Sequence, residues 1–248
     1  MSTDAETRQQ RFVYGRRRGR KLRPGQQALW RRLLPTLRVA LPSTGRLAPR
    51  TLFDRPVDAV WLEIGFGAGE HLAAQAEAHP AVGFIGCEVF ENGVAKLLAE
   101  TEQRRLANIR LFIDDARLLL AALSEASLAR VFILFPDPWP KLRHHKRRIV
   151  ATATLDALAR VMMNGAELRL ATDDRGYLAW MLEHVTGHPD FEWLARRPDD
   201  WRTRPADWPA TRYEQKAVAA GRAPTFLRFR RRPRTAANPL VHPSTSSG

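Results

Sequence analysis

The stretch that most limits what this chain can become runs from Arg130 to Arg148, RVFILFPDPWPKLRHHKRR. Val131 to Phe135 is a short apolar run rich in β-branched and aromatic residues, the pattern of a strand buried on both faces of a parallel sheet. Pro136, Pro138 and Pro140 end that strand, because proline has no N–H to give to a β-ladder. Between them stand one carboxylate, Asp137, and one large aromatic, Trp139. A cationic run follows, Lys141, Arg143, Lys146, Arg147 and Arg148, with His144 and His145 among them. An acid, a flat apolar surface and a ramp of cations thus share one rigid loop at the carboxyl end of a buried strand, where open α/β sheets bind ligands. A proline-rich turn into a solvated helix is the plainer reading. The crowding of three kinds of recognition chemistry into so short a stretch weighs against it.

The rest of the chain alternates around this strand. Strands are expected over 58–64, 82–89, 109–113, 130–135 and 167–172, each followed by a helix: through about His79, then 91–106, 116–123, 149–163 (stopped by Asn164-Gly165) and 175–185. Such alternation predicts an α/β fold, a Rossmann-like doubly wound and mostly parallel sheet. Two late runs, 191–194 and 225–231, read as an antiparallel C-terminal edge, with 197–213 an ordered loop between them. Before the first strand, Gln26 to Leu37 suits a short helix ended or bent by Pro35. The expected organisation is a basic flexible arm over 1–24, a single domain over 25–234 and a disordered tail over 235–248.

Two other strand ends carry ligand chemistry. WLEIGFGAGEHL sets Glu63, Gly65, Gly67 and Gly69 between the first strand and a helix, and glycines there let a ligand approach the backbone. Glu88, at the tip of the second strand, is placed for ribose hydroxyls. Asp114-Asp115 closes the third, with Asp115 favoured for an adenine amino group and Asp114 for solvent; the same pair suits a helix cap. A nicotinamide dinucleotide competes for this arrangement, but its diphosphate usually sits over a different glycine spacing. A carboxylate at Glu63 suits a cationic sulfonium bearing an amino group, which points to S-adenosylmethionine.

Charge and cysteine content narrow the partners. A formal net charge of +14 in 248 residues, concentrated in RRRGRKLRPG and the 141–148 run, reads as affinity for a polyanion. One cysteine, Cys87, makes no internal disulfide and no zinc set, which suggests a reduced, cytoplasmic setting. No secretory h-region and no membrane-spanning run is visible, so nucleic acid is a better partner than membrane.

FPDPWPKLRHHKRR strongly resembles the signature of the bacterial tRNA (guanine-N7)-methyltransferases, a family within the class I methyltransferases. So do the N-terminal RRxGR element, Ala171-Thr172-Asp173, and Thr211-Arg212-Tyr213-Glu214 before a Lys/Gly segment and a last strand. The resemblance spans about Tyr14 to Arg232 and implies methyl transfer from S-adenosylmethionine to N7 of the variable-loop guanine of tRNA. By resemblance, Asp137 is the catalytic residue, and Glu63, Gly65, Gly67, Gly69, Glu88, Asp115 and Asp137 bind or flank the cofactor. Lys141, Asp173, Thr211, Arg212, Tyr213 and Glu214 would hold the guanosine. Arg143, His144, His145, Lys146, Arg147 and Arg148 would contact the RNA backbone. Neither a metal nor a membrane is expected, and the assembly expected is a monomer, with a homodimer the alternative. The competing readings are a methyltransferase of this fold acting on another RNA or on protein, a non-catalytic RNA-binding protein, and, more distantly, a nicotinamide oxidoreductase.

Overall fold

The computed structural model describes residues 17–234. Its centre is one seven-stranded sheet with helices on both faces. The strands are β1 (Ala59–Ile64), β2 (Val82–Cys87), β3 (Ile109–Phe112), β4 (Leu128–Leu134), β5 (Met162–Thr172), β6 (Phe191–Trp193) and β7 (Thr225–Arg231), in spatial order β3-β2-β1-β4-β5-β7-β6. The first five run parallel, while β7 lies antiparallel between β5 and β6. This is the doubly wound, mostly parallel sheet with an antiparallel C-terminal edge that the sequence predicts. Strand order reverses between β1 and β4, which opens a crevice at the carboxyl ends of these strands.

The helices are α1 (Pro24–Arg32), α2 (Leu34–Leu37), α3 (Glu70–Ala78), α4 (Glu91–Gln103), α5 (Ala116–Ala122), α6 (Thr152–Val161), α7 (Arg175–Thr186), α8 (Asp199–Arg202) and α9 (Arg212–Ala219). The strands are largely apolar because each face is covered: Leu62, Ile85, Val131, Ile133, Leu168 and Leu170 pack beneath one helix layer, while Phe84, Leu111 and Phe132 pack beneath the other.

Several boundaries differ from the sequence expectation. The helix expected over 26–37 is two, broken at Leu33 and restarted over Pro35, whose missing N–H is harmless in a first turn. Asn164-Gly165 does not stop α6. The helix ends at Val161, and β5 already runs through Gly165, which takes a φ of 79°. That end is fixed from far along the chain: the Arg234 guanidinium donates to the carbonyls of Ala159, Arg160 and Met162. The segment read as loop up to 213 contains α8 and the start of α9. Thr211 Oγ1 accepts from the Glu214 backbone N–H at 3.1 Å, so the T-x-Y-E element is the N-cap of α9.

Residues 1–16 of the basic arm and the whole tail over 235–248 lie outside the described residues. Residues 17–20 are tied across the start of α4. The Arg17 carbonyl accepts from Glu91 N, Gly19 N donates to Asn92 Oδ1, and Asn92 Nδ2 donates to the Arg20 carbonyl.

Candidate active site

A cavity of about 380 Å³ opens at the switch point. Its walls come from the ends of four parallel strands: Ile64 and Gly65 after β1, Cys87 and Glu88 at β2, Asp114 and Asp115 after β3, and Leu134 to Asp137 after β4. Gly67, Val89, Phe90, Arg117, Trp139, Arg147 and Tyr213 are also on its wall. Four carboxylates face two guanidiniums there, so the cavity is acidic inside a strongly basic protein.

The glycine loop does three separate jobs. Gly65 has a φ of 75°, and a Cβ there would meet no protein atom within 4 Å, so its missing side chain is part of the cavity. Gly67 passes under the Tyr213 ring and donates its N–H to Glu88 Oε2 at 2.8 Å. Gly69 does not line the cavity. It begins α3 at a φ of 83°, and a Cβ would press on Leu97 of α4 at 2.8 Å.

Glu88 anchors the wall. Oε1 accepts from Val89 N at 2.7 Å and Phe90 N at 3.0 Å. Burial pushes its carboxyl above the usual range, the three amides pull it partly back, and the charge of Asp137 pushes it further up. Cys87 is buried beside it; burial, then the nearby carboxylates, raise the thiol well above its ordinary range, so it is no thiolate nucleophile.

Glu63, expected to bind or flank the cofactor, stands directly behind the cavity wall formed by Ile64 and Gly65. At 4% exposure it is off the cavity wall, and its Oε2 lies 2.7 Å from His71 Nδ1 on α3. A buried carboxylate needs such a partner, and the pair ties the glycine loop to α3. The expected division, Asp115 to the ligand and Asp114 to solvent, is less sharp in the structure, and the expected helix cap is present. Both line the cavity; Asp115 caps α5 by accepting from Arg117 N at 2.9 Å, while Asp114 accepts from Asp115 N and from Arg17. Asp114 is the more exposed of the two and is shared between the cavity and Arg17.

Asp137 is exposed on the rim and makes no hydrogen bond or ion pair among the described residues. Trp139 beside it carries Arg147 over its face at 4.9 Å and His144 against its edge at 5.9 Å. Burial, then the surrounding cations with Arg147 foremost, hold His144 below its usual pKa. Lys141, Arg143 and Lys146 project into solvent, and His145 packs edge-on against Trp180. Arg148 is a correction: it is 3% exposed, enclosed by α7 and out of reach of an RNA backbone.

The residues expected around the guanosine are placed by ion pairs. Asp173, after β5, pairs with Arg222 at 2.7 Å, and Glu214 pairs with Arg204 at 3.0 Å. Arg212 is exposed and 3.5 Å from Glu70, while Tyr213 alone of this set reaches the cavity. The approach to α9 is anchored by Asp207, which pairs with buried Arg169 and whose carbonyl accepts from Gln75 of α3. Gly93 is a site residue that the sequence reading passed over. Its signal is a glycine in the first turn of a helix, which marks close approach of another backbone. A Cβ there would lie 2.1 Å from the Gly67 carbonyl oxygen.

Comparisons with known proteins agree with this geometry. A family model described as putative methyltransferase matches residues 58–227. A tRNA (guanine-N(7)-)-methyltransferase of Rhodospirillum rubrum is 56% identical over 226 residues, covering 90% of this chain and 89% of that one. One from Azorhizobium caulinodans is 49% identical over 231 residues, covering 93% and 100%. Among solved structures, TrmN from Thermus thermophilus aligns with a TM-score of 0.50 at 15% identity, over 83% of this chain and 48% of that one, a likeness of fold alone. The sequence signature around Asp137, the acidic cavity at the switch point and identity along nearly the whole chain agree: the chain belongs to the bacterial tRNA (guanine-N7)-methyltransferase family.

Proposed function

We propose that this protein transfers a methyl group from S-adenosylmethionine to N7 of a guanine in tRNA, the variable-loop guanine, giving 7-methylguanosine. The observation that carries the reading is the acidic cavity at the switch point, with Asp137 and Trp139 on its rim and exposed cations beside it. A diphosphate would meet Glu88, Asp114, Asp115 and Asp137, whereas a sulfonium with a free ammonium matches them. A non-catalytic binder of a polyanion has no use for such a wall.

The residues present fit the cofactor. Glu88 Oε2 keeps a lone pair for a ribose hydroxyl, Asp114 and Asp115 border the α5 end, and Gly65 leaves its Cβ space open. When bound, S-adenosylmethionine supplies an electrophilic methyl group on a positively charged sulfur. Guanine N7 has an in-plane lone pair and no proton, so no side chain is needed as general base. The work of the protein is alignment and electrostatics. Asp137 orients the base and stabilises the positive charge that develops on it, and Trp139 or Tyr213 offers a face for stacking. Asp173 and Glu214, held by Arg222 and Arg204, are suited to accept from guanine N1–H and the 2-amino group. Lys141, Arg143 and Lys146 meet phosphates, so tRNA affinity falls steeply with salt. The lone buried cysteine suits a cytoplasmic setting.

The raised carboxyl of Glu88 gives a pH test. Its ionised form is the acceptor for the ribose, so affinity for S-adenosylhomocysteine is expected to weaken as pH falls, with a midpoint above the ordinary glutamate value of about 4.3. Asp137→Asn moves that midpoint down, since it removes a charge that raises Glu88. Calorimetric titrations across pH check both; a midpoint indifferent to Asp137 would remove the coupling.

The atom acted on is tested with tRNA in which the variable-loop guanosine is replaced by 7-deazaguanosine. This keeps the base-pairing edge and removes the N7 lone pair. Binding without methyl acceptance is the expected result; acceptance at the normal rate overturns N7 as the target.

A further inference from the structure

We infer that Arg148, gripped by Tyr177 and Trp180 of α7, is a positioning residue for methyl transfer that holds the 136–140 loop in its working shape. The inference deepens the proposed function and rests on it. In the sequence Arg148 is the last of a row of cations and looks like one more phosphate contact. In the structure it points inward. Its guanidinium carbon lies 4.9 Å from the Tyr177 ring centre and 4.8 Å from that of Trp180, and its Nε donates to the Pro138 carbonyl at 2.8 Å.

Pro138 stands between Asp137 and Trp139, so that carbonyl fixes the backbone from which both side chains hang. The loop needs fixing. Phe135 and Trp139 have φ values of 50° and 44°, left-handed conformations that residues with a Cβ hold only when their surroundings enforce them. At the Phe135 end the constraint is its N–H on the Ala171 carbonyl, 2.8 Å away. At the Trp139 end it is Arg148. The same helix also holds the returning chain: Val150 N donates to the Tyr177 hydroxyl at 3.3 Å, and Trp180 Nε1 donates to the Val150 carbonyl at 2.6 Å. Thus α7 grips the exit of the loop on both sides and, through Arg148, its tip. Only a planar guanidinium both lies against two rings and keeps Nε aimed at a carbonyl; an ammonium does not.

The test uses the full chain carrying Arg148→Lys, with three measurements. These are kcat and KM for a tRNA transcript, the salt dependence of tRNA binding, and calorimetric binding of S-adenosylhomocysteine. A misplaced reacting loop is expected to lower kcat by about 10²-fold, with KM, the salt slope and S-adenosylhomocysteine binding little changed. Trp180→Phe keeps a ring face but loses the bond to Val150, and is expected to lower kcat less. The double variant is expected to be no worse than Arg148→Lys alone, because both changes act on one clamp. If kcat is unchanged while KM rises and the salt slope falls by about one, Arg148 is a phosphate contact and the inference is overturned. Fully additive losses overturn it too. Should Arg148→Lys lose S-adenosylhomocysteine binding, Trp180→Phe decides alone: a kcat loss at constant KM supports the clamp, and no loss overturns it. The methylated nucleoside is identified with the wild-type chain in the same assay. Label on another nucleoside would sink the function reading, while the kcat comparison would still decide the clamp.

Discussion

Asp137→Asn is expected to lower kcat and kcat/KM together by on the order of 10²-fold, the signature of an interaction made in the transition state and absent before it. The side chain keeps its size and position, so the loop geometry persists and only the charge is lost. Asp137 is open to solvent and has no partner among the described residues, so no internal ion pair is broken by the change. Screening by water is strong in the open site and weakens when a base covers the carboxylate, which is when positive charge appears on the purine. Binding of S-adenosylhomocysteine, which lacks the sulfonium charge, is expected to persist. Single-turnover methylation of a tRNA transcript measures the effect; full turnover by the asparagine variant would eliminate an electrostatic role.

A change outside the cavity wall is expected to be nearly as damaging. Gly93→Ala places a methyl group 2.1 Å from the Gly67 carbonyl oxygen, and the obstacle is backbone, not a side chain that can swing away. Either α4 moves off the glycine loop or Gly67 shifts and loses its hydrogen bond to Glu88. Overpacking of this kind destabilises by about 1–3 kcal/mol, and here the strain falls on the loop that would cradle the cofactor. A lowered thermal midpoint with loss of S-adenosylhomocysteine binding is the expected outcome. Gly25→Ala serves as the control, since a Cβ there meets nothing within 4 Å. If Gly93→Ala bound the ligand as well as the control does, α4 would have no part in shaping the site.

These cases show which features a single sequence exposes. The parallel strands were legible because burial on both faces leaves continuous apolar runs such as Val131 to Ile133, and the cavity loops were legible because strand ends with glycines or acids are local patterns. Orientation was not legible. Arg143 and Arg148 share one basic run, yet one is in solvent and the other lies buried against two rings some thirty residues away in sequence. Glu63 stands beside the glycine loop, but which way it turns was decided by His71 on the next helix. Asp114 and Asp115 both reach the cavity, and what divides them is that one side chain caps α5 while the other meets Arg17 from the far N-terminal end. The end of α6 was set by Arg234, beyond any local signal. Thr211 to Glu214 carries the pattern of a helix N-terminus as well as recognition chemistry, and Thr211 does cap α9.

The measurement that bears most directly on the account is transfer of label from S-adenosylmethionine to unmodified tRNA, followed by digestion and identification of the nucleoside, with a parallel transcript carrying adenosine at the variable-loop position. The account predicts 7-methylguanosine in the first sample and none in the second. Label in any other nucleoside, or equal labelling of both transcripts, would contradict it.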